Sequence, residues 1–433
     1  MKINSKRIVY VYISLYLTLL IGFYFNEDFA GGYKVDYLIY KNAISAFNLD
    51  LKNSLIFYEK FSMMVSPIFI LLLSYIHKIL NNDTFVRFLN LNFSLILPYL
   101  FFLCLKIKYV DTKKYLLYLL PAIIFISPYF RSSSIWVGPE NLSIIFFLAS
   151  VYFFLKHENE KQNLSFILLN VFFLSIAAYI RPIYSLFSIY FFLKFYYNIK
   201  FSKNLIYYIL LNILLSLPAF YYIFILEVNF FGEAFLTNGM GFVNQINQFA
   251  ITISIIFFYS IPIILNNYKN YLDIKNYKII NLIFSIIFIY LVITYFNYEE
   301  RFFEMVYGGG IFYKFSNLIF KSNYFFYLIV FISFNILVIS VFKDNKNIDK
   351  FFNFILLLVL IFFEPDGFYF HETYDPLLYL VFLLLINSKQ FSQFVEKLNF
   401  KNLVILFSFG IIYYCTSVIK YLFFFVPDIK NYI

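Results

Sequence analysis

Asn26-Glu27-Asp28-Phe29-Ala30-Gly31-Gly32-Tyr33-Lys34-Val35-Asp36-Tyr37 is the first long polar break in a sequence that otherwise runs from one apolar segment to the next. Three carboxylates and a glycine pair lie just beyond the first apolar segment, Ile8 to Phe25. From Val35 the apolar residues fall at Val35, Leu38, Ile39, Ala43, Ala46 and Phe47. That i, i+3, i+4 spacing predicts a short helix with one apolar face, lying along a membrane surface. Asp36 would sit in its first turn after a flexible Gly-Gly, where the positive helix end favours an ionised carboxylate. It reads either as the seat of a catalytic base or as a solvated helix start.

Outward from this loop the chain is apolar. Hydrophobic residues make up 62% of 433 positions and charged residues 13%, against about half and about a quarter in soluble proteins. The stretches Phe88 to Leu105, Leu205 to Leu226, Ile279 to Phe296 and Asn402 to Phe425 approach or exceed the roughly 20 residues that cross a bilayer. The expected fold is an all-α, polytopic transmembrane bundle of roughly 11–13 spanning helices, one membrane domain with the interfacial helix in loop 26–60. Ile8 to Phe25 follows Lys2, Lys6 and Arg7 like a signal peptide, but no small-residue cleavage site follows, so it is read as a retained helix. Cys104 and Cys415 fall in apolar segments, and His77, His157 and His371 match no metal-ligand spacing. No metal or cofactor is expected, and the net charge of +10 resides mainly in short lysine-bearing loops, so no nucleic-acid partner is expected either.

With a cytoplasmic amino terminus, and with the Ser66-Pro67-interrupted segment Phe61 to Leu80 taken as re-entrant, most lysines face the cytoplasm. Most aspartates and glutamates then face the other side. The chain has only five arginines, Arg7, Arg87, Arg131, Arg181 and Arg301. The last four fall on the acidic side in this topology. A planar guanidinium grips phosphate in two-pronged fashion where lysine cannot, so Arg87, Arg131, Arg181 and Arg301 read as phosphate ligands or, equally, as interfacial anchors.

These residues together resemble the GT-C superfamily, integral-membrane glycosyltransferases that take sugar from a polyprenyl-phosphate carrier. The resemblance lies in the acid-bearing loop Glu27-Asp28 to Asp36-Tyr37, in Ser66-Pro67-Ile68 at the place of a proline-containing segment, and in Arg87 opening the next helix. Ser127-Pro128-Tyr129-Phe130-Arg131, with Trp136 and Pro139-Glu140-Asn141, is similar to the second external loop. It covers residues 1–200, through Tyr179-Ile180-Arg181-Pro182, and leaves 201–433 as a variable carboxy-terminal part. It implies transfer on the non-cytoplasmic face of a bacterial inner membrane to a glycan, lipid or protein acceptor.

Such a transfer needs one carboxylate to take the acceptor proton and positive charge to receive the departing phosphate. Attack opposite the leaving group inverts the sugar carbon and needs no metal. Asp36 is assigned as base with Asp28 and Glu27 as competitors, and Glu140 as orienting group. Further along, Tyr307-Gly308-Gly309-Gly310 reads as a plain turn or an anion cradle. His371, Glu372 and Asp375 are acceptor-binding candidates. A transporter or flippase of polyprenyl-linked glycans would also gather arginines, but with charges near the midplane and repeated halves. A glycan polymerase would rely on a large later loop, and Glu227 to Gln248 has no arginine.

Overall fold

The computed structural model describes every residue except 1–4, 62–64, 111, 113, 161–162, 226–241, 267, 269–270, 272–278, 299–307, 344, 365–368 and 424–433. Among the described residues every regular element is helical. Seven helices among the described residues are long and apolar enough to cross a membrane, or up to nine if two bent pairs each count as one span. The chain is therefore an all-α, multi-pass membrane protein. Among the described residues the count is below the expected 11–13 because two further apolar helices, Leu164–Ile180 and Asn281–Tyr295, are shorter; a third short one, Pro67–Leu80, is the segment expected to be re-entrant. At 14 residues, Pro67–Leu80 reaches about 21 Å, against about 30 Å of hydrocarbon.

The chain forms two compact units, Met1–Phe230 with Asn399–Ile433, and Phe231–Leu398. In the first unit α1 (Ser5–Tyr24) runs into the polar loop, which bends at Gly31 in the left-handed region (φ 85°). One π-helical turn, Gly32–Tyr37, follows and passes directly into α2 (Leu38–Leu49). The expected helix is present but begins three residues later than its apolar spacing suggested. Its buried face is Tyr40, Ala43, Ile44 and Phe47, and the Tyr40 ring meets Phe69 edge-on at 6.0 Å.

Next come α3 (Leu51–Ile56) and α4 (Pro67–Leu80), whose first turn is set by Pro67 and by Ser66 Oγ accepting from the Ile68 N–H. Asn81, in the left-handed conformation, closes α4, and Asn82 caps α5 (Asp83–Ser94) by accepting from the Phe85 N–H. The helices α6 (Ile96–Lys108) and α7 (Lys114–Leu119) lead to α8 (Pro128–Trp136). Ser127 Oγ and Pro128 start α8 at a 68° bend from the preceding helix. Val137 ends it in the left-handed region, and Gly138-Pro139 starts α9 (Pro139–Asn159). The helix α10 (Leu164–Ile180) stops at Arg181 because Pro182 disfavours helical backbone in the residue before it. Two more helices, α11 (Phe187–Ile199) and α12 (Lys203–Phe220), follow, and Phe400–Phe423 belongs to the same unit.

The short helix α8 is buried along its length although it carries Arg131 and Ser132 to Ser134. Polar neighbours satisfy it. Asn90 Nδ2 donates to the carbonyls of Ser133 and Ser134 at 2.9 and 2.8 Å. Asn141 Nδ2 donates to the Phe130 carbonyl and to Ser134 Oγ, both at 2.8 Å. These bonds tie α5, α8 and α9 into one frame beside the loop, because buried polar groups persist only when paired.

The second unit is built on Phe242–Asn266, Ile279–Tyr295, Tyr324–Phe342, Asn347–Ile361 and the bent pair His371–Leu385 with Lys389–Glu396.

Candidate active site

The first unit gathers Glu27, Asp28, Asp36, Arg87, Arg131, Glu140 and Arg181 around the loop, and they divide by what they touch. Arg131 grips Glu27 with two prongs, Nε to Oε1 at 2.8 Å and Nη2 to Oε2 at 2.5 Å. It also donates to the Thr18 hydroxyl and carbonyl at 3.1 and 3.0 Å, and lies 5.3 Å from the Tyr414 ring. Gly22 permits this approach, since a Cβ there would collide with Glu27 Oε2 and come within 2.9 Å of Arg131 Nη2. The pair joins α8 to the end of α1. Arg87 has a similar structural engagement. It donates to the Ile135 carbonyl at 3.0 Å and to Asn26 Oδ1 at 2.9 Å, and its guanidinium lies 3.6 Å from the Trp136 ring centre.

Trp136 is the hub of the loop. Its indole N–H donates to the Glu27 carbonyl at 2.7 Å, and its ring meets Tyr33 at 4.6 Å and Tyr37 at 5.7 Å. Gly32 N–H donates to Ser132 Oγ at 3.1 Å. The loop is thus tied to α8 at Glu27, Gly32, Tyr33 and Tyr37.

Asp36 is half-buried in the π-helical turn. Its carboxyl is pushed up from 3.8 to about 8, by burial first, then by Glu140; Arg181 opposes the shift and Asp28 adds to it. The expectation that a helix end would keep Asp36 ionised is corrected here. It sits ahead of the α-helix, and desolvation together with two neighbouring carboxylates outweighs any helix dipole. Asp28 is 4% exposed and accepts the Tyr33 N–H at 2.8 Å. Glu140, 6% exposed, opens α9 and accepts from Arg181 Nη1 at 3.3 Å. That single contact is longer than the 2.7–2.9 Å usual for charge-assisted pairs and looser than the fork of Arg131 on Glu27.

Four of the sequence candidates, Asp28, Asp36, Glu140 and Arg181, therefore interact electrostatically. Tyr33, Tyr37, Asn90 and Asn141 join the frame without having been singled out for it. The one signal for the tyrosines is their i, i+4 spacing astride Asp36. Arg301 lies outside the described residues, as do Glu299, Glu300, Glu304 and Asp366.

His371, Glu372 and Asp375 belong to the second unit. His371 is buried, with Nε2 accepting the Ile311 N–H at 2.9 Å and Nδ1 3.2 Å from the Tyr259 hydroxyl. Asp375 is buried and Glu372 half-buried. The turn at Gly308 to Gly310 is crowded by Tyr298, Tyr369 and Tyr313. It opens a six-residue helix, Gly310–Phe315. Among the described residues no group of three or more His, Cys, Asp or Glu side chains could hold a metal ion.

No family model matches the chain, and neither does any curated protein or solved structure.

Proposed function

We propose that this protein is a membrane glycosyltransferase, moving a sugar from a polyprenyl-phosphate donor to a glycan, lipid or protein acceptor at the non-cytoplasmic face of a bacterial inner membrane. The observation that carries the reading is Asp36, a half-buried carboxyl held at about 8 between Glu140, Asp28 and Arg181. A strongly shifted carboxyl with specific charged neighbours is the property expected of a general base. The resemblance of the loop and of Pro128 to Arg181 to the GT-C layout supplies the reaction class.

In this reading the acceptor hydroxyl gives its proton to the Asp36 carboxylate while its oxygen bonds to the anomeric carbon. The bond from that carbon to the phosphate oxygen breaks, and its electron pair leaves with the phosphate. The anomeric centre inverts, and Arg181 stabilises the departing phosphate. Glu140 holds the Arg181 guanidinium in place. Glu27 and Arg131 neutralise each other and anchor the loop.

The test is incubation of membranes with a panel of radiolabelled polyprenyl-phosphate sugars, wild type beside Asp36→Asn. A new glycosidic bond that forms in detergent and disappears in the variant, at equal protein abundance, supports the reading. Near-normal turnover in Asp36→Asn removes Asp36 as base. Substrate movement across vesicles without any new bond identifies a transporter instead.

A further inference from the structure

Tyr37 follows Asp36 in the chain, closes the π-helical turn, and is 2% exposed. Its hydroxyl donates a hydrogen bond to Asp83 Oδ1. Asp83 lies in the first turn of α5, where a carboxylate is favoured by the unpaired N–H groups of the helix start. It also draws in two other elements, with Lys41 Nζ of α2 3.7 Å from Oδ2 and His77 Nδ1 of α4 3.9 Å from Oδ1. Burial holds His77 below its ordinary range, so Lys41 is the cation of this group at neutral pH. Burial and then Asp83 raise the Tyr37 hydroxyl well above its ordinary value, which keeps it a donor. On the inner side the Tyr37 ring packs against Trp136.

We propose that the Tyr37–Asp83 hydrogen bond is the positioning element for Asp36, fixing the turn to α5 so that the Asp36 carboxyl stays directed into the cluster of Asp28, Glu140 and Arg181. The geometry supports this in three ways. Tyr37 shares a peptide bond with Asp36, so fixing its ring and hydroxyl fixes the backbone that aims the carboxyl. The amino-terminal side of the turn is held through the Gly32 and Tyr33 N–H groups, to Ser132 Oγ and Asp28 Oδ1, and Tyr37 holds the carboxy-terminal side, where Asp36 lies. Asp83 belongs to the same helix as Arg87 and Asn90, which are bonded to α8, so the turn is fixed to the frame that also carries Glu140. Asp83 touches no reacting atom in the proposed transfer; it acts through Tyr37.

The inference rests on the reading of Asp36 as the base, and two readouts separate its failure from failure of that reading. The first is the titration of Asp36, followed as the protonated-carboxyl infrared band that Asp36→Asn removes. The second is turnover with a polyprenyl-phosphate sugar. In Tyr37→Phe and in Asp83→Ala the infrared midpoint is expected to fall from about 8 toward the ordinary carboxylate range, as the freed turn lets water reach Asp36. Turnover is expected to drop about tenfold or more at unchanged donor KM, the effect of a slightly misplaced group. The double variant is expected to be no worse than the poorer single one, because both remove one interaction. Asp83→Asn, which still offers an acceptor to the hydroxyl, is expected to recover most of the loss. An infrared midpoint unchanged in both single variants overturns the proposal whatever turnover does. If wild type transfers no sugar the transferase reading falls, and the infrared arm still decides the positioning role.

Discussion

Asp36 keeps its proton to about pH 8, and two consequences follow from the sign of that shift. A base works when deprotonated, so turnover is expected to rise with pH and level off above about 8. Its pH–rate profile in detergent checks this, and a flat profile from pH 6 to 9 would count against Asp36. The second consequence concerns folding. The folded state binds the Asp36 proton more tightly than the unfolded chain does, whose value is near 3.8. Stability from this group is therefore present at low pH and is lost as pH rises through the window from 3.8 to about 8. Asp36→Asn removes that loss. Its thermal midpoint relative to wild type is expected to climb between pH 5 and 8 and then stay constant. Arg181 supplies a third test at this scale. Arg181→Lys keeps the charge but loses the planar fork, so donor KM is expected to rise about tenfold with abundance unaffected, and an unaltered KM would remove Arg181 from the phosphate site.

At the level of elements, the joint between α1 and α8 is made by two charges that neutralise each other. Glu27→Gln would leave the Arg131 guanidinium buried without its counter-ion, at a cost of about 3–5 kcal/mol. Gly22→Ala would drive a methyl group into the same pair. Both variants are expected to lose thermal stability in detergent as well as activity, unlike Asp36→Asn. This division of labour among acids was only partly legible beforehand. The composition of the loop marked Glu27, Asp28 and Asp36 as a group, and helix periodicity found α2 to within three residues. Nothing local could say that Glu27 would be matched by an arginine 104 positions away, or that Asp28 and Glu140 would raise the proton affinity of Asp36. The contacts of Glu27 with Arg131 and of Asp36 with Glu140 are long-range, and Arg131 lies on the helix that begins at the 68° bend of Ser127-Pro128. Ser127-Pro128 stood only within the motif that resembles a second external loop, and nothing there said that it starts a buried helix whose Ser133 and Ser134 bond to Asn90 and Asn141 and whose Ser132 accepts from the Gly32 N–H.

For the whole molecule, the apolar composition alone made a multi-pass helical protein legible, because a bilayer admits few other structures. The helix number was less legible, since apolar runs such as Leu164–Ile180 and Asn281–Tyr295 look like spans in sequence but form helices shorter than a full crossing. Sidedness is tested by labelling. In a Cys415→Ser background, which removes the exposed native thiol, Asn48→Cys and Lys200→Cys both place a thiol at an exposed position. An impermeant maleimide applied to intact cells is expected to label position 48, and position 200 only after permeabilisation. Labelling of both from outside would undo the topology on which an external site depends.

The helix Phe400–Phe423 reaches back to the beginning of the chain. The Ser417 hydroxyl donates to the Phe29 carbonyl at 2.8 Å, across 388 residues, and the Phe29 ring rests against Tyr414 and Tyr421 at 6.0 and 5.5 Å. A loop that leaves the ribosome among the first residues therefore gains this support only after Phe400–Phe423 has been translated and inserted. Until then the nascent loop lacks this support, and chains released before that helix would enter the bilayer without the contacts that hold Phe29.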